Sequence, residues 1–261
     1  MQAVLSDNLA LLHRYLLHIA RMPERLLAVT LMPVLYVVVL GYLFGSMVVL
    51  PEGDYREYLM AGIMAQTMLT NVTNTALSVA DDLRNGLVER FGSLPMSQSS
   101  VLFARTATSV LLSVVSLLMM TAVGLLIGWR VEDPLLALGG FGVLLLLGYA
   151  MAWIGAWIGL ALRSAESINA VALVVVVPMT FLSTAFIPTS TLPEWLGVVC
   201  EWNPLSAVVN AARELFGNST NVAGSALPTL YPIPSALLLC AALLLVAVPL
   251  ALRAHQRALS R

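Results

Sequence analysis

The chain has 261 residues, 59% of them hydrophobic and 10% charged, with a mean hydropathy of +0.90 and a net charge of −1. A water-soluble domain carries about 25% charged residues, so this chain lacks the polar surface for a water-soluble globule, and its near-neutral balance offers no basic patch for nucleic acid. Its cations are thirteen arginines with no lysine, which excludes a P-loop, whose lysine must reach the nucleotide phosphates, and Schiff-base chemistry.

Residues 1–25 carry His13, Arg14, His18, Arg21 and Arg25 and lack a short apolar core followed by a small-residue cleavage site, so they do not read as a cleavable signal. Leu5, Leu9, Leu12, Leu16 and Ile19 fall on one helical face, with Asp7, Arg14, His18, Arg21 and Arg25 opposite. That pattern predicts an amphipathic helix lying in the membrane interface, turned into the first span by Pro23. About 20 apolar residues cross a bilayer. Runs of that kind occur at Leu26–Leu50, Leu59–Ala80, Thr106–Trp129, Leu135–Leu162, Ile168–Ile187 and Ile233–Leu252. The fold expected is therefore all-α and membrane-integral, a single domain with spans one to five over 26–187 and span six over 233–252.

The segments between spans also have shape. In the loop 81–105, Asp81 and Asp82 suit a helix N-terminus, and the run to Gly92, stopped by Pro95, predicts a short helix with Leu83, Leu87 and Phe91 at helical spacing. Between spans five and six, 188–232 is too long for a turn. Thr191 and Glu194 have capping-box spacing, Asn203-Pro204 reads as N-cap and first helical residue, and Gly217 as the residue past the end. Two short apolar helices follow, Pro193–Glu201 and Pro204–Phe216, too short to span and read as re-entrant or interfacial.

Arginine placement orients the chain. With the N-terminus inside, ten arginines (14, 21, 25, 84, 90, 105, 163, 253, 257 and 261) lie in cytoplasmic segments, and Arg56, Arg130 and Arg213 lie outside. An even count of six spans keeps the arginine-rich tail, 253–261, in the cytoplasm.

Span two is the most polar. Thr67, Asn71, Asn74 and Ser78 share one helical face, with Gln66, Thr70, Thr73 and Thr75 nearby; such groups line a translocation path or bond neighbouring helices. The pairs Gly41/Gly45, Gly124/Gly128 and Gly155/Gly159 allow close helix approach, either at a dimer interface or within the bundle. Pro178 should kink span five. Cys200 and Cys240 have no metal-ligand spacing and read as ordinary apolar residues. No charge lies deep in a span, which argues against an ion-coupled carrier. With no G-x-S-x-G motif and with His13, His18 and His255 all near the termini, an intramembrane enzyme or a metal site also lacks its residues. An ATP-independent channel or carrier remains the alternative class.

Two segments carry a resemblance to a known family. STAFIPTSTLPEWLGVVCEWNPLSAVVNAAREL (Ser183–Leu215) and ERFGSLPMSQSSVLFAR (Glu89–Arg105) resemble the ABC-2-type permeases, the membrane subunits of the type V ABC exporters, and among these the daunorubicin-resistance-type branch. The likeness covers nearly the whole chain; neither segment separates a drug exporter from a lipid, glycan or glycolipid exporter. The resemblance implies a bacterial inner-membrane permease that exports a lipophilic drug, antibiotic or lipid. It binds no cofactor itself. ATP and Mg sit on a separate ABC ATPase present in two copies, and a second permease copy or paralogue completes the pore among membrane lipids. By the same resemblance, Asp82, Arg84, Leu87, Glu89, Arg90 and Phe91 form the coupling helix. The N-terminal helix connects to the ATPase, and Arg163 and Glu166 make a second cytoplasmic contact. Glu194, Trp195, Glu201, Asn203, Pro204 and Arg213 belong to an outer lid.

Overall fold

The computed structural model of the protein describes residues 31, 34–39, 55–85, 98–186, 189, 192–218 and 226–259. The expected interfacial helix of 1–25, most of span one, Thr191, and Leu87, Glu89, Arg90 and Phe91 lie outside the described residues. Among those described there is no strand. Residues 34–39 are helical. They are followed by α1 (Tyr55–Arg84), α2 (Gln98–Leu126), α3 (Pro134–Leu162), α4 (Ala165–Phe181), α5 (Glu194–Glu201), α6 (Pro204–Phe216), α7 (Leu227–Leu230) and α8 (Pro232–Leu259). Three stretches are long and apolar enough to cross a membrane, Leu102–Leu126, Pro134–Leu162 and Pro232–Arg257, and α4 is a shorter apolar helix. α1 has the length, about 45 Å at 1.5 Å per residue, but its polar side chains keep it out of that class.

Local chemistry sets the ends. Asp133 accepts from the Leu135 amide at 2.8 Å with Pro134 in the first turn of α3, and Asn203 accepts from the Leu205 amide at 2.9 Å ahead of Pro204 in α6. Both are side-chain N-caps followed by a proline whose missing N–H costs nothing there. Gly128 and Gly217 adopt positive φ. The next amides return to Gly124 and Arg213 (Trp129 N to Gly124 O 2.9 Å, Asn218 N to Arg213 O 3.1 Å), which closes α2 and α6 as Schellman motifs.

Four expectations change. Asp81 and Asp82 do not start a separate helix; they lie in the last turns of α1, which runs unbroken to Arg84 because nothing between Ala80 and Arg84 breaks a helix. Span five stops at Phe181, not Ile187, and 182–186 fold as turns. There Asn203 draws off the Met179 and Leu182 carbonyls, donating to them at 2.8 and 2.6 Å. α5 begins at Glu194, one residue after the expected start, with Pro193 at its N-cap and no side-chain cap bond. The tail is not separate from span six, because α8 continues to Leu259 through Pro249.

α3 is the hub, packed against α1, α2, α4, α6 and α8. Its glycines make the closest approach: a Cβ at Gly155 would strike the Val72 carbonyl of α1, and one at Gly159 the Ala76 carbonyl. That pair therefore serves packing within the chain rather than a dimer interface. Gly62 of α1 meets the Ala185 carbonyl in the same way. Without a hydrophobic drive between helices in lipid, such close backbone contact is how apolar helices hold together. A main cluster around Met64, Met68, Leu144, Val208 and Phe216 fills one end of the bundle, and a second around Val79, Leu102, Trp153, Leu160 and Ala251 the other. Cys200 and Cys240 are buried and free.

Candidate translocation and coupling sites

The polar face of α1 divides by its neighbours. Asn71 Nδ2 donates to Ser113 Oγ of α2 at 2.7 Å, and the Thr75 and Ser109 hydroxyls pair at 3.0 Å. Thr67 Oγ1 donates to its own helix at Ile63 O, 2.9 Å, and lies 3.7 Å from Met120 Sδ. Asn74 is exposed, and Gln66, Thr70, Thr73 and Ser78 are half-buried. The residues that complete the bonded seam, Ser109 and Ser113, are one turn apart on α2. That i, i+4 spacing of hydroxyls is legible in the sequence.

At the end of α1 marked by Arg84, Arg105 of α2 pairs with Asp82 at 3.0 Å and donates to the Ser78 carbonyl at 2.8 Å. The two helices flanking residues 86–97 are thus tied together. Arg84 is exposed. Arg163 caps α3 with φ 55° and its Nε donates weakly to Leu160 O at 3.4 Å; it and Glu166 are exposed. Ser164 caps α4 through the Ser167 amide at 3.4 Å, and Glu166 lies in its first turn, where the helix dipole favours a negative charge. The second predicted contact is therefore a tight exposed corner.

The predicted lid residues separate into a surface set and a buried set. Glu194 is exposed, and Trp195 is 70% exposed, with the nearby Trp202 60% exposed. Glu201 is buried and accepts from the Ala226 amide at 3.0 Å. Asn203 is buried on the end of α4, and Pro204 is half-buried beside it. Arg213 is not at the surface at all.

Arg213 is fully buried, in the last turn of α6, where a helix dipole favours a cation. Its Nε donates to Tyr58 O at 3.1 Å, Nη1 to Asn210 Oδ1 at 3.2 Å, and Nη2 to Thr184 O at 2.8 Å and Ala185 O at 3.2 Å. The guanidinium lies 3.4 Å from the Tyr58 ring centroid, a cation–π contact. Tyr58 Oη in turn donates to Thr184 O at 2.7 Å, and Thr184 Oγ1 to Asn210 Oδ1 at 3.1 Å. Burial pushes the Arg213 pKa down, but a guanidinium ionises so high that it stays charged. Its partners are carbonyl dipoles and a ring, so one side chain joins α1, the turn after α4, and α6. Among the described residues no group of three His, Cys, Asp or Glu is placed to hold a metal ion.

Comparison with known proteins gives these helices a setting. A family model described as ABC-2 type transporter matches residues 7–216. The daunorubicin resistance ABC transporter permease protein DrrB1 of Streptomyces coeruleorubidus is 29% identical over 211 residues, 80% of this chain and 75% of that protein. The putative transport permease ycf38 of Porphyra purpurea is 26% identical over 220 residues, 83% and 76% of the two chains. The probable doxorubicin resistance ABC transporter permease protein DrrC of Mycobacterium tuberculosis is 26% identical over 210 residues, 80% and 76%.

Proposed function

The chain belongs to the ABC-2 type transporter family, a family of multi-pass membrane proteins, and on that premise we propose that it is the permease subunit of an ATP-driven exporter of lipophilic compounds. Two copies of a separate ATP-binding subunit supply ATP and Mg chemistry, and a second permease copy or paralogue completes the path. Six spans cross a bacterial inner membrane with both termini in the cytoplasm. The described arginines support this sidedness. Arg84, Arg105, Arg163 and Arg257 sit at helix ends gathered on one side of the bundle; Arg56, bonded to Ile127 O at 3.2 Å, Arg130 and Arg213 sit on the other.

The observation that carries the reading is the divided polar face of α1. An amide at membrane depth needs protein or water around it. Asn71 and Thr75 spend that need on α2, whereas Asn74 is exposed, with the half-buried Gln66 and Thr70 on the same side. These outward groups line the path, and Thr67, Asn71 and Ser78 hold the helix that presents them. Having amide and hydroxyl groups but no fixed charge, the path suits a lipophilic cargo such as a daunorubicin-like drug or a lipid. Strokes of the ATP-binding subunit enter through Asp82, Arg84, Leu87, Glu89, Arg90 and Phe91, with Arg163 and Glu166 as the second contact, and pass along α1 as a continuous rod.

Reconstitution tests this directly. Vesicles holding the chain and its partner ATPase should move a daunorubicin-type probe only with ATP and Mg. The purified chain alone should hydrolyse no ATP above background. Equal probe movement without ATP would replace the exporter reading with a channel or carrier.

A further inference from the structure

An apolar cavity of about 200 Å³ lies between α1, α3 and α4, with Ile168 at one end and Met179, Pro204 and Leu205 at the other. Its walls come from side chains such as Val72, Met151 and Ala172, and Thr73 brings its only hydroxyl. A second, more open cavity of about 470 Å³ shares Met179 and Pro204 with the first and reaches Trp202. From these shapes we infer that the groove beside α4 holds one acyl chain of a bilayer phospholipid. The inference needs only that the chain spans a membrane, so ATP-driven export can fail without it, and it can fail without export.

Three observations select this occupant. The first is length. Ile168 and Met179 are eleven residues apart on α4, about 16 Å at 1.5 Å per residue. The hydrocarbon core is about 30 Å thick, so one leaflet is about half of that. A volume this small spread over that length suits a single flexible chain rather than a fused-ring drug. The second is chemistry. A cavity lined by Leu, Ile, Val and Met stays dry, and left empty it forfeits dispersion contacts along its whole lining; an alkyl chain restores them without asking for a hydrogen bond. The third is continuity with the surface that faces lipid. Ala172 sits at the margin, next to Leu173 and Val174, which are 66% and 72% exposed on α4. Trp202, at the far end, is of the type that marks the membrane–water interface, where a headgroup would emerge.

The test uses the full chain in phosphatidylcholine nanodiscs doped with a phosphatidylcholine that carries a diazirine midway along one acyl chain. After irradiation, adducts on Val72, Met151 and Met179 should exceed those on Leu118 of α2 and Leu245 of α8, both exposed on the outside of their helices, by several-fold. Ala172→Phe, which fills the cavity, should abolish that enrichment, and Leu173→Phe, one residue along on the outer face, should leave it. Equal labelling of all five positions overturns the inference, as does enrichment that survives Ala172→Phe. Should Ala172→Phe fail to fold, the unaltered chain decides. A phospholipid with a mid-chain nitroxide should show a motionally restricted spectral component that unlabelled phosphatidylcholine displaces. Its absence, or displacement by the exported probe but not by phosphatidylcholine, counts against a resident lipid.

Discussion

Arg213 shows how a residue's neighbours override its class. An arginine on a short outer helix reads as a surface charge, yet here it is the most completely enclosed cation described, and its four hydrogen bonds end on groups from three elements. Removing it takes a donor from the Tyr58, Thr184 and Ala185 carbonyls, of which Thr184 O keeps its bond from Tyr58 Oη, and each lost bond is dear in a dry site. Arg213→Met should therefore lower the stability of the detergent-solubilised chain by about 3 kcal/mol or more, read as a fall in Tm. Arg213→Lys should recover only part of it, since an ammonium cannot reproduce the planar fork. Equal Tm for Arg213→Met and the native chain would show that the bonds are not made. The α1 amides make the complementary pair. Asn71→Leu breaks the bond to Ser113 and should cost about 0.6–1.7 kcal/mol. Asn74→Leu breaks none and should leave Tm unchanged while reducing probe export, and unchanged export in that variant would remove Asn74 from the path.

At the scale of elements, the packing of α1 on α3 depends on what is missing from α3. Gly155 and Gly159 let the Val72 and Ala76 backbone come within contact, and rigid backbone cannot move aside as a flexible side chain can. Gly155→Leu should separate the two helices and sharply reduce the yield of folded protein. Gly142→Ala, on the same helix with nothing within 4 Å of the added carbon, should match the native chain. Similar yields for both would mean that the helices do not approach as described. α1 itself packs in the bundle on one side and carries half-buried polar groups and the exposed Asn74 on the other, and its run to Arg84 is tied to α2 by the Asp82–Arg105 pair.

For the molecule as a whole, the decisive question is whether force enters at the end of α1. Phe91→Ala and Glu89→Arg follow the end of α1 at Arg84 in sequence and should leave folding intact. If the segment couples, each should abolish export and either release the ATP-binding subunit on purification or leave it bound and hydrolysing without transport. Native export and native binding in both variants would make the segment a connector and move the coupling elsewhere.

Composition and the spacing of charges already determined that the chain is helical and built for a membrane. They also located spans three, four and six and the short helices α5 and α6, though not α7, because a helix that must satisfy its own backbone in lipid writes its length and caps into local sequence. The matching signals at Asn203 and Gly217 are local bonds, readable in a few residues. Only the tertiary structure decided that Asp82 closes a long helix and pairs with Arg105, that Gly155 and Gly159 face α1, that Asn71 is bonded while Asn74 is exposed, and that Arg213 is buried. Each of these depends on a partner far along the chain, 155 residues away for Arg213 and Tyr58, and a helical face known by its period alone does not say which neighbour it meets.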